Sequence, residues 1–483
     1  MESHPEAIGA GVGQPRGTPG PAHSGPPSPH RFAGQTVVVM GLGRFGGGTD
    51  AARFLAAGGA RVIVTDAAPA DRLVESVREL AGLDSIELHL GGHRMEDFNR
   101  ADLVVVNPAV PDQNPFLAAA RQRGCPAVTA VNLFLQACPA TVVGITGSNG
   151  KSTTAALTAH LLQAAEGRPP VQYRRAWLSG NIGHVPLLGL LDQTEPEDVV
   201  VLELSSFQIE RFVHIERGPR IAMLTNLTPN HLDRHGTFEA YCQAKENLFK
   251  VQPLDPSDPA LSLFFAEDPV GRQWFDRYSS QPGRVCRVFS PDDVPSPLRQ
   301  AFHLPGRANL CNLAAAYAVV RHLGVTDAQI EQALPGFRSL PHRLEWIADI
   351  RGVRYYNDSI ATTPESAIVA LTAFDEPKVI IAGGSDKGVP FDAFGRTVAT
   401  RAKAAVLVGA TAGKIAEAIR ACPDNQARIL EARTFAQAVE LASRAADPGD
   451  IVLLSPACAS FDLFNNFQER GLEFARLVRE LNR

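Results

Sequence analysis

Three times along the chain, a run of aliphatic and β-branched residues leads directly into a glycine-rich turn and then into a helical stretch. These segments are VVVMGLGRFG at 37–46, VVGITGSNGKST at 142–153 and VIIAGGSDK at 379–387. Short buried-type strands that alternate with helices are typical of a parallel α/β fold. The chain has 483 residues and is too long for one hydrophobic core. We therefore predict three α/β domains, each built on one of these nucleotide-fold-like units.

The predicted domain boundaries follow these units and the composition between them. The first 33 residues are rich in Pro and Gly and almost free of aliphatic side chains. Such a segment cannot offset the entropy of ordering, and it lacks the apolar stretch of a secretory signal. We predict a disordered tail at 1–33 and domains at 34–130, 131–338 and 339–483. Residues 251–300, rich in Pro and Asp, are expected to contain surface loops, and their detailed structure is not predicted.

Nine β-strands are predicted from the aliphatic runs. They are Thr36–Met40, Arg61–Thr65, Leu103–Val106, Thr141–Ile145, Val199–Leu204, Ile221–Leu224, Lys378–Ala382, Ala404–Val408 and Asp450–Leu454. In an open parallel sheet the ligands bind beyond the carboxyl ends of the strands. Polar residues that directly follow these runs are therefore the first candidates for functional sites.

The composition excludes several classes of protein. With 46 Lys and Arg against 51 Asp and Glu, the net charge of −5 argues against broad binding to nucleic acids or to anionic membranes. No apolar run approaches the roughly 18–20 residues that span a bilayer. The seven cysteines are scattered, without the paired spacing of a zinc site or a disulfide framework. We therefore expect a cytoplasmic protein without membrane insertion.

The strongest local signal is TGSNGKST at 146–153, between a predicted strand and a helix. Glycines let backbone N–H groups turn towards phosphate oxygens, and the helix N-terminus adds positive potential. Lys151 can reach the β- and γ-phosphates, and the Ser152 hydroxyl can ligate Mg²⁺. The strict phosphate-loop spacing is not met, because Ile145 stands where its first glycine belongs. The segment predicts a nucleoside triphosphate site, with a glycine turn and a chance Gly-Lys-Ser sequence as the alternative.

Two further residues follow strands next to this loop. Glu203 ends the run Val199–Leu204, where a carboxylate can ligate Mg²⁺ or position water. His231 follows the run Ile221–Leu224 and is a second candidate for a metal or phosphate contact. Taken alone, Glu203 is equally compatible with a surface acid at a strand end, whereas His231 without the phosphate loop is more typical of a surface histidine.

The first glycine-rich turn has the pattern of a dinucleotide fingerprint. Gly41, Gly43 and Gly46 follow a strand, and Asp66 ends the next strand about twenty residues on. This pattern predicts a site for a nucleotide pyrophosphate and a ribose hydroxyl. An NAD cofactor and a UDP-type substrate fit this pattern equally well, so it leaves the owner of the pyrophosphate open. A dehydrogenase is disfavoured on other grounds, because hydride transfer does not need a second, phosphate-binding loop.

Several motifs together resemble the Mur ligases of peptidoglycan synthesis, and most closely their glutamate-adding branch. The motifs are TGSNGKST at 146–153, LELSSFQ at 202–208, LPHR at 340–343, NDS at 357–359 and SPACASFDLFNNFQERGLEF at 455–474. The phosphate loop alone marks a broader family that includes folylpolyglutamate synthases. The last motif is the most selective of the five.

The resemblance implies a fold, a reaction and a set of partners. It implies an N-terminal Rossmann-like UDP-binding domain, a central P-loop ATPase-type domain and a C-terminal Rossmann-like domain. The implied activity is an amide ligase that uses ATP and Mg²⁺ to add D-glutamate to UDP-N-acetylmuramoyl-L-alanine through an acyl phosphate, as a cytoplasmic monomer. The alternatives are a related ligase for another amino acid, L-glutamate first, and a non-catalytic or NAD-dependent nucleotide-binding protein.

The resemblance also implies roles for individual residues. The implied catalytic set is Lys151, Glu203, His231 and Lys245, and the implied Mg²⁺ ligands are Ser152, Glu203, His231 and Lys245 as a carbamate formed with CO₂. The implied ATP contacts are Gly147, Ser148, Asn149, Gly150, Lys151, Ser152, Thr153, Asn309, Asn312, Arg343 and Asp358. The implied UDP-substrate contacts are Gly43, Arg44, Phe45, Asp66, Asn181 and Gln208. The implied D-glutamate contacts are Thr362, Lys387, Ser460 and Phe467.

Simpler interpretations exist for some of these residues. Lys245 on a helix is ordinarily a solvated surface group, and a pair such as Asn309 and Asn312 near a helix start is commonly a cap. Arg343 and Asp358 have opposite charges and are compatible with a structural ion pair.

The chain also departs from the family pattern. The family segment N-D-S-K-A-T-N reads NDSIATT at 357–363, so that Ile360 replaces a lysine. Ala308 stands where the family has a histidine, and Asn107-Pro108-Ala109 replaces a common S-P-G. The lost lysine implies that another residue substitutes for it, that the rate is lower, or that the amino-acid preference differs.

Overall fold

A computed structural model of the protein describes residues 31–43, 46–182 and 186–481. Over these ranges the chain forms three β-sheets with helices packed around them. Every strand pair in these sheets is parallel except the pair at one edge of the third sheet. The predicted fold class, three α/β domains in succession, is confirmed.

The first sheet is built from short, buried strands. Its strands are β1 (Thr36–Met40), β2 (Arg61–Asp66), β3 (Ile86–Leu90), β4 (Leu103–Val106) and β5 (Ala127–Val128). Its helices are α1 (Gly47–Ala57), α2 (Val74–Leu80), α3 (Met95–Arg100), α4 (Pro115–Gln122) and α5 (Ala130–Ala137). The strand order is β3-β2-β1-β4-β5. The central strand β1 is apolar on both faces, as a strand covered by helices on both sides must be.

The middle sheet carries the phosphate-binding segment. Its strands are β6 (Thr141–Thr146), β7 (Ala176–Gly180), β8 (Val199–Glu203), β9 (Ile221–Leu224), β10 (Ala260–Phe265) and β11 (Arg284–Phe289). Its helices are α6 (Lys151–Ala164), α7 (Ser206–Ile209), α8 (Leu232–His235), α9 (Phe238–Lys250), α10 (Pro269–Tyr278), α11 (Ser296–Ala301), α12 (Arg307–His322) and α13 (Asp327–Ala333). The order is β11-β10-β9-β6-β8-β7. The carboxyl end of β6 therefore lies between those of β8 and β9.

The third sheet is mixed at one edge. Its strands are β12 (Glu345–Ile350), β13 (Val353–Asn357), β14 (Lys378–Ala382), β15 (Ala404–Leu407), β16 (Arg428–Glu431) and β17 (Ile451–Leu454). Its helices are α14 (Pro364–Leu371), α15 (Asp392–Arg401), α16 (Ala412–Arg420), α17 (Phe435–Ala445) and α18 (Phe467–Glu480). The order is β12-β13-β17-β14-β15-β16, and the hairpin partner β12 is antiparallel. The chain reverses direction across the sheet between β17 and β14, where α/β folds form a ligand crevice.

The nine predicted strands are all present, and their ends differ from the prediction by at most one residue. Residues 251–300 contain exposed loop residues, at 254–259 for example, as predicted, and β10, α10, β11 and α11 lie there as well. β10 is a buried strand of sequence ALSLFF, but the Pro and Asp residues of the neighbouring turns dominate the composition of the region. The boundaries at residues 130 and 338 stay predictions.

Phe32 lies within the tail predicted to be disordered at 1–33, but it takes part in the first core, so the prediction is wrong at this residue. Phe32 is buried and packs edge-to-face on Phe54, and its backbone N–H donates to the carbonyl of Gly58 at 2.9 Å. The rest of the predicted disordered tail, residues 1–30, lies outside the described residues. Among the described helices, none combines the length and the apolar character needed to cross a membrane.

Candidate active site

The phosphate-binding loop after β6 is clamped to the segment after β9 by backbone and side-chain hydrogen bonds. The N–H of Ser148 donates to the carbonyl of Asn226 at 2.8 Å, and the N–H of Asn149 donates to the Asn226 side chain at 3.0 Å. The Thr225 hydroxyl donates to the Asn149 carbonyl at 2.6 Å. Together these hydrogen bonds hold the loop in place at the carboxyl end of β6.

Two glycines make this loop geometry possible. Gly147 and Gly150 both have positive φ, at 148° and 81°. A Cβ atom at Gly147 would lie 2.0 Å from the Thr225 hydroxyl oxygen, and one at Gly150 would lie 2.3 Å from Oδ1 of Asn312. Gly150 is also the N-cap residue of α6, so the loop leads directly into a helix N-terminus with its exposed N–H groups. The loop therefore forms a cradle suited to an anion such as a phosphate group.

Lys151, Glu203 and Lys245 come together beside this cradle. Lys151 Nζ donates to the Ser148 carbonyl at 3.0 Å, and Lys245 Nζ donates to the Thr146 hydroxyl at 3.2 Å. Burial lowers the pKa of Lys151, an effect that Arg343 reinforces and Glu203 opposes.

Lys245 is not a surface group. Its side chain is 1% exposed, and its ammonium lies 4.8 Å from the ring centre of Tyr241. Burial, together with the charge of Lys151, lowers the pKa of Lys245 well below its usual range. No described carboxylate lies within ion-pair distance of this amine. The interpretation of Lys245 as a solvated surface residue is therefore wrong.

Glu203 is a buried carboxylate with a free oxygen. It ends β8 opposite Ile145 of β6, and its Oε2 has no hydrogen-bond partner among the described residues. A buried, unsatisfied carboxylate oxygen is costly unless a cation or a donor reaches it. The described chain has no group of three or more His, Cys, Asp or Glu side chains placed to hold a metal by themselves. A cation at Glu203 would therefore depend on ligands of other kinds, such as hydroxyl or phosphate oxygens.

His231 lies on the solvent side of the same region. It precedes α8 in a left-handed conformation with φ of 52°, and its ring packs edge-to-face on Phe207 at 4.9 Å. Partial burial lowers the pKa of His231, and the charges of Lys151 and Lys245 lower it further. The imidazole is therefore favoured in its neutral form, which is the form that can ligate a metal.

Asn309 and Asn312 lie on the first turns of α12, against the phosphate loop. The Asn312 amide donates to Oδ1 of Asn309 at 3.2 Å, and its own Oδ1 accepts from the Thr154 hydroxyl at 3.3 Å. Asn309 in turn donates to the Pro305 carbonyl at 2.7 Å. Gly306, not either asparagine, is the residue that caps α12. The capping interpretation is therefore wrong, whereas the role in binding the ATP base stays a prediction.

The third domain reaches the phosphate loop through Arg343. Its charge acts on Lys151, and its Nε is buried without a hydrogen-bond partner. Both neighbours, His342 and Leu344, have positive φ, at 63° and 43°. Non-glycine residues in this region are strained by an order of 1–3 kcal/mol, and such strain is concentrated at functional sites. The connection between the domains thus presents Arg343 at a cost in backbone energy.

Asp358 follows β13 and is buried near Arg343. Its carboxylate accepts from the Ser455 hydroxyl at 2.9 Å and from the N–H of Leu344 at 3.2 Å. Burial raises the pKa of Asp358 to about 7, against the opposing influence of Ser455 and Arg343. Arg343 and Asp358 do not form an ion pair within 4 Å, so the interpretation as a structural ion pair is not supported.

The first-domain residues of the predicted UDP site, Gly43 and Asp66, lie at the carboxyl ends of β1 and β2. Asp66 accepts from the backbone N–H of Gly43 at 3.1 Å and from that of Ala68 at 2.8 Å, so its carboxylate shapes the glycine turn directly. Arg44 and Phe45 lie outside the described residues.

Middle-domain side chains hold the loop that follows β4 in this site. Arg234 donates to the carbonyl of Ala109 at 2.8 Å, and Arg211 donates to that of Val110 at 3.2 Å. Arg211 also forms an ion pair of 2.8 Å with Asp112. The loop of the first domain is therefore fixed by residues of the second.

Asn181 and Gln208 flank Glu203 on the middle sheet. Asn181 follows β7, is exposed, and donates its backbone N–H to the Glu203 carbonyl at 3.2 Å. Gln208 is buried, and its side-chain oxygen accepts from the backbone and the hydroxyl of Ser205 in a capping box for α7. In this arrangement the Gln208 oxygen is used locally, which the sequence did not reveal.

The predicted amino-acid residues lie around the carboxyl ends of β13, β14 and β17. Thr362 is half-buried, and Lys387 is exposed beyond β14. Ser460 is 2% exposed, and its hydroxyl has no hydrogen-bond partner among the described residues. Phe467 begins α18, and its carbonyl accepts from the Ser359 hydroxyl at 2.8 Å. The four residues thus share one end of the third domain, and their roles stay predictions.

The sequence analysis missed several residues that build the site. Thr225 and Asn226 hold the phosphate loop, and their position directly after β9 was a usable signal. The Tyr241 hydroxyl lies 3.1 Å from that of Ser148, but nothing in the sequence pairs residues so far apart. Arg470, buried beneath the third-domain loops, was also missed because an arginine on an amphipathic helix is ordinarily exposed.

Comparison with known protein families agrees with this geometry. The family description "MurD-like, N-terminal domain" of the Mur ligases matches residues 35–129, the Mur ligase middle domain matches 145–301, and the "Mur ligase, glutamate ligase domain" matches 342–458.

The chain belongs to the Mur ligase family.

Relatives in the Mur ligase family align over nearly the whole chain. The UDP-N-acetylmuramoylalanine--D-glutamate ligase of Roseiflexus sp. (strain RS-1) is 40% identical over 470 residues, which cover 93% of this chain and 99% of the relative. The enzyme of the same name from Symbiobacterium thermophilum is 40% identical over 445 residues, covering 89% and 95%. That from Acidobacterium capsulatum is 37% identical, covering 92% and 96%.

Solved structures of Mur-type ligases share the fold. The UDP-N-acetylmuramate-alanine ligase of Thermotoga maritima superposes with a TM-score of 0.52 at 18% identity, over 92% of this chain and all of that one. A pseudomurein peptide ligase type C from Methanothermus fervidus gives a TM-score of 0.51 at 15% identity, over 93% and 100%. At these identities the comparison supports the Mur ligase fold and no detail of specificity.

Substitution of Gly150 should weaken nucleotide binding more than it weakens the fold. In Gly150→Ala the new methyl group meets Asn312 and the residue must keep a φ of 81°. We expect ATP affinity to fall at least about tenfold, because the loop must move out of register with the helix N-terminus. The matched control is Gly167→Ala, which has a φ of 67° and open space at its Cβ. Both variants place an alanine at a positive φ, but only Gly150→Ala should lose affinity for ATP in titration calorimetry.

The raised pKa of Asp358 predicts a pH-dependent contribution to stability. Between about pH 4 and pH 7 the folded state holds a proton that the unfolded chain has lost, so stability falls as the pH rises through this window. Asp358→Asn removes this titration. Its unfolding midpoint relative to the unmodified protein should therefore be higher at pH 8 than at pH 5. Asp292→Asn, at a side chain 93% exposed, is the control. An equal difference at both pH values would contradict the assignment.

Proposed function

We propose that this Mur ligase is an ATP-dependent enzyme that joins the amine of D-glutamate to the carboxylate of UDP-N-acetylmuramoyl-L-alanine, a step in peptidoglycan precursor synthesis. The observation that carries the proposal is the meeting of the phosphate loop, Lys151, Glu203 and Lys245 at the carboxyl edge of the middle sheet, with Arg343 of the third domain. Full-length similarity to relatives named for this reaction supports the choice of substrates.

The proposed reaction has two steps. The substrate carboxylate attacks the γ-phosphorus of ATP, ADP leaves, and an acyl phosphate forms. The amine of D-glutamate then attacks the acyl carbon, phosphate leaves, and the amine loses a proton. Phosphoryl transfer depends mainly on positioning and on neutralisation of charge. We propose that positioning and charge neutralisation come from Lys151, Arg343 and the N–H groups where the loop enters α6.

The donor set is compatible with Mg²⁺ as the metal. Glu203 offers a buried carboxylate oxygen without a partner, which is a hard ligand of the kind that Mg²⁺ prefers. We propose that Ser152 and His231 are further protein ligands of the metal. Ser152 lies in the first turn of α6, beside the loop, and the neutral imidazole that can ligate a metal is favoured at His231. When bound, the metal would neutralise phosphate charge.

We further propose that Lys245 is carbamylated. A buried ammonium beside Lys151 is unfavourable, whereas a carbamate would bring an anion into the same place. The reaction balances with CO₂ as the only co-reactant: the neutral amine forms an N–C bond to carbon, and one proton is released. The resulting carboxylate-like group would face the hydroxyl of Thr146, to which Nζ now donates.

The other two substrates are assigned to the first and third domains. We propose that the first domain holds the uridine diphosphate at Gly43 and Asp66, and that D-glutamate binds between Thr362, Lys387 and Ser460. A lysine together with hydroxyl groups is a suitable receiver for carboxylates. The monomeric state and the cytoplasmic location stay predictions.

The first experiment is phosphate release with ATP, Mg²⁺, UDP-N-acetylmuramoyl-L-alanine and a single amino acid. We expect release with D-glutamate that depends on both the acceptor and the amino acid, and loss of release in Lys151→Ala because the loop loses its charge. Release with L-glutamate alone would overturn the substrate assignment and associate it with Ile360. Absence of release with every amino acid would overturn the proposed reaction.

Lys245→Ala should lose turnover and regain part of it when acetate or another short carboxylate is added. The added anion would occupy the space of the carbamate and restore the negative charge that the alanine variant lacks. The control is Lys250→Ala on the same helix, whose exposed amine pairs with Glu246 at 2.9 Å. Turnover of Lys245→Ala that is unaffected by carboxylates, or equal rescue of a Lys151 variant, would argue against carbamylation.

A further inference from the structure

The third domain buries an arginine in the loops that surround the predicted amino-acid site. Arg470, on the first turn of α18, is only 3% exposed. Its Nε donates to the Ser359 hydroxyl at 3.0 Å, and its Nη2 donates to the carbonyls of Ser359 at 2.9 Å and Cys458 at 3.0 Å. One guanidinium thus joins the turn after β13, the loop after β17 and the helix α18.

The charge of Arg470 has no partner in the protein. All three of its acceptor groups are neutral oxygens, and no carboxylate in the described part of the chain lies within 4 Å of it. Asp462 is a carboxylate whose charge acts on Arg470, but its oxygens accept from the Ser385 hydroxyl and the Ala410 N–H. Burial accordingly lowers the pKa of Arg470 to about 10. A buried cation without a compensating anion is unfavourable in the folded state.

The unsatisfied end of the guanidinium faces a small internal cavity. Nη1 of Arg470 and the hydroxyl of Ser460 both lack hydrogen-bond partners, and both residues line a cavity of about 10 Å³ together with Gly384 and Asp462. This space is at the carboxyl ends of β14 and β17, where the strand order reverses. A volume of this size holds about one water molecule and no larger group. A substrate carboxylate therefore does not enter this space, and the charge of Arg470 acts on the crevice above it through its electrostatic field.

We propose that Arg470 is a positioning residue that fixes the amino-acid subsite and gives it a preference for an acidic side chain. This inference rests on the proposed function, since it concerns the amino acid that the enzyme joins to its acceptor. The three hydrogen bonds hold Ser359 and Cys458 in place. The unpaired positive charge beneath Ser460 favours a substrate whose side chain carries a carboxylate over one that carries the neutral amide.

The test compares D-glutamate with D-glutamine in Arg470→Gln. The amide side chain can keep one or two of the hydrogen bonds but removes the charge. We expect the KM for D-glutamate to rise at least about tenfold, the KM for ATP to stay within about twofold, and the inhibition constant of D-glutamine to stay unchanged. Arg470→Lys keeps the charge with poorer geometry and should show a smaller rise in the KM for D-glutamate.

The matched control is Arg476→Gln, two turns further along α18. Arg476 is about half exposed and pairs with Glu473 at 2.7 Å and Glu480 at 2.6 Å, so its loss should leave every kinetic constant unchanged. Thermal unfolding of each variant shows whether the fold is retained. If Arg470→Gln does not fold, the comparison is made with Arg470→Lys alone, which must then raise the KM for D-glutamate without changing the inhibition by D-glutamine.

The outcomes separate this inference from the proposed function. Equal weakening of D-glutamate and D-glutamine in the Arg470 variants would show a purely structural role and overturn the inference, while ligase activity of the unmodified protein would stand. Turnover of the unmodified protein with D-glutamine as readily as with D-glutamate would also overturn it. If the unmodified protein does not release phosphate, the proposed function fails. The inference is then decided by whether D-glutamate raises the unfolding midpoint of the unmodified protein and not that of Arg470→Gln.

Discussion

An excess of positive charge at the carboxyl edge of the middle sheet is the constraint on which the site depends. Lys151 and Lys245 lie near each other with Glu203 as their nearby carboxylate, and Arg343 adds a further cation from the third domain. Without anions this grouping is unfavourable, because each charge lies where water is largely excluded. In the proposed function, the polyphosphate of ATP and a carbamate at Lys245 would both supply the missing negative charge. The grouping that is unfavourable without anions would then provide affinity for them.

Strained backbone conformations are also concentrated in the segments that carry the site residues. Among the described residues other than glycine, five have positive φ, and four of these lie in segments that carry site residues: His231, His342, Leu344 and Ala457. The fifth, Arg351, lies in the hairpin between β12 and β13. Strain at these positions is maintained because the surrounding sheets over-determine the loops. The sheets thus allow loops of the second and third domains to hold unfavourable backbone conformations next to the site residues.

The sequence predicts the central strands well and the peripheral ones poorly, for a physical reason. Strands covered by helices on both faces, such as β1 and β14, are continuous aliphatic runs and are easily recognised. β16, of sequence RILE at a sheet edge, and β12, the antiparallel hairpin strand, expose one face and carry charged residues. Their pattern does not differ from that of a turn or a short helix. Pairing within the sheet, which the sequence does not display, defines them as strands.

The site residues likewise divide into those that the sequence predicts and those that it does not. Residues next to glycine-rich turns or at strand ends, such as Lys151 and Glu203, could be named from the sequence because the parallel sheet fixes where they lie. Arg470 could not, because its function depends on what is missing around it: an acidic partner. Its contact with Ser359 also bears on the neighbouring residue, Ile360, where the family carries a lysine. An aliphatic side chain supplies no charge, and the buried guanidinium of Arg470 is a cation that contacts this turn directly. Because Arg470 belongs to the motif shared with the family, it does not replace that lysine. In its proposed role it would favour a negatively charged substrate whichever residue stands at position 360.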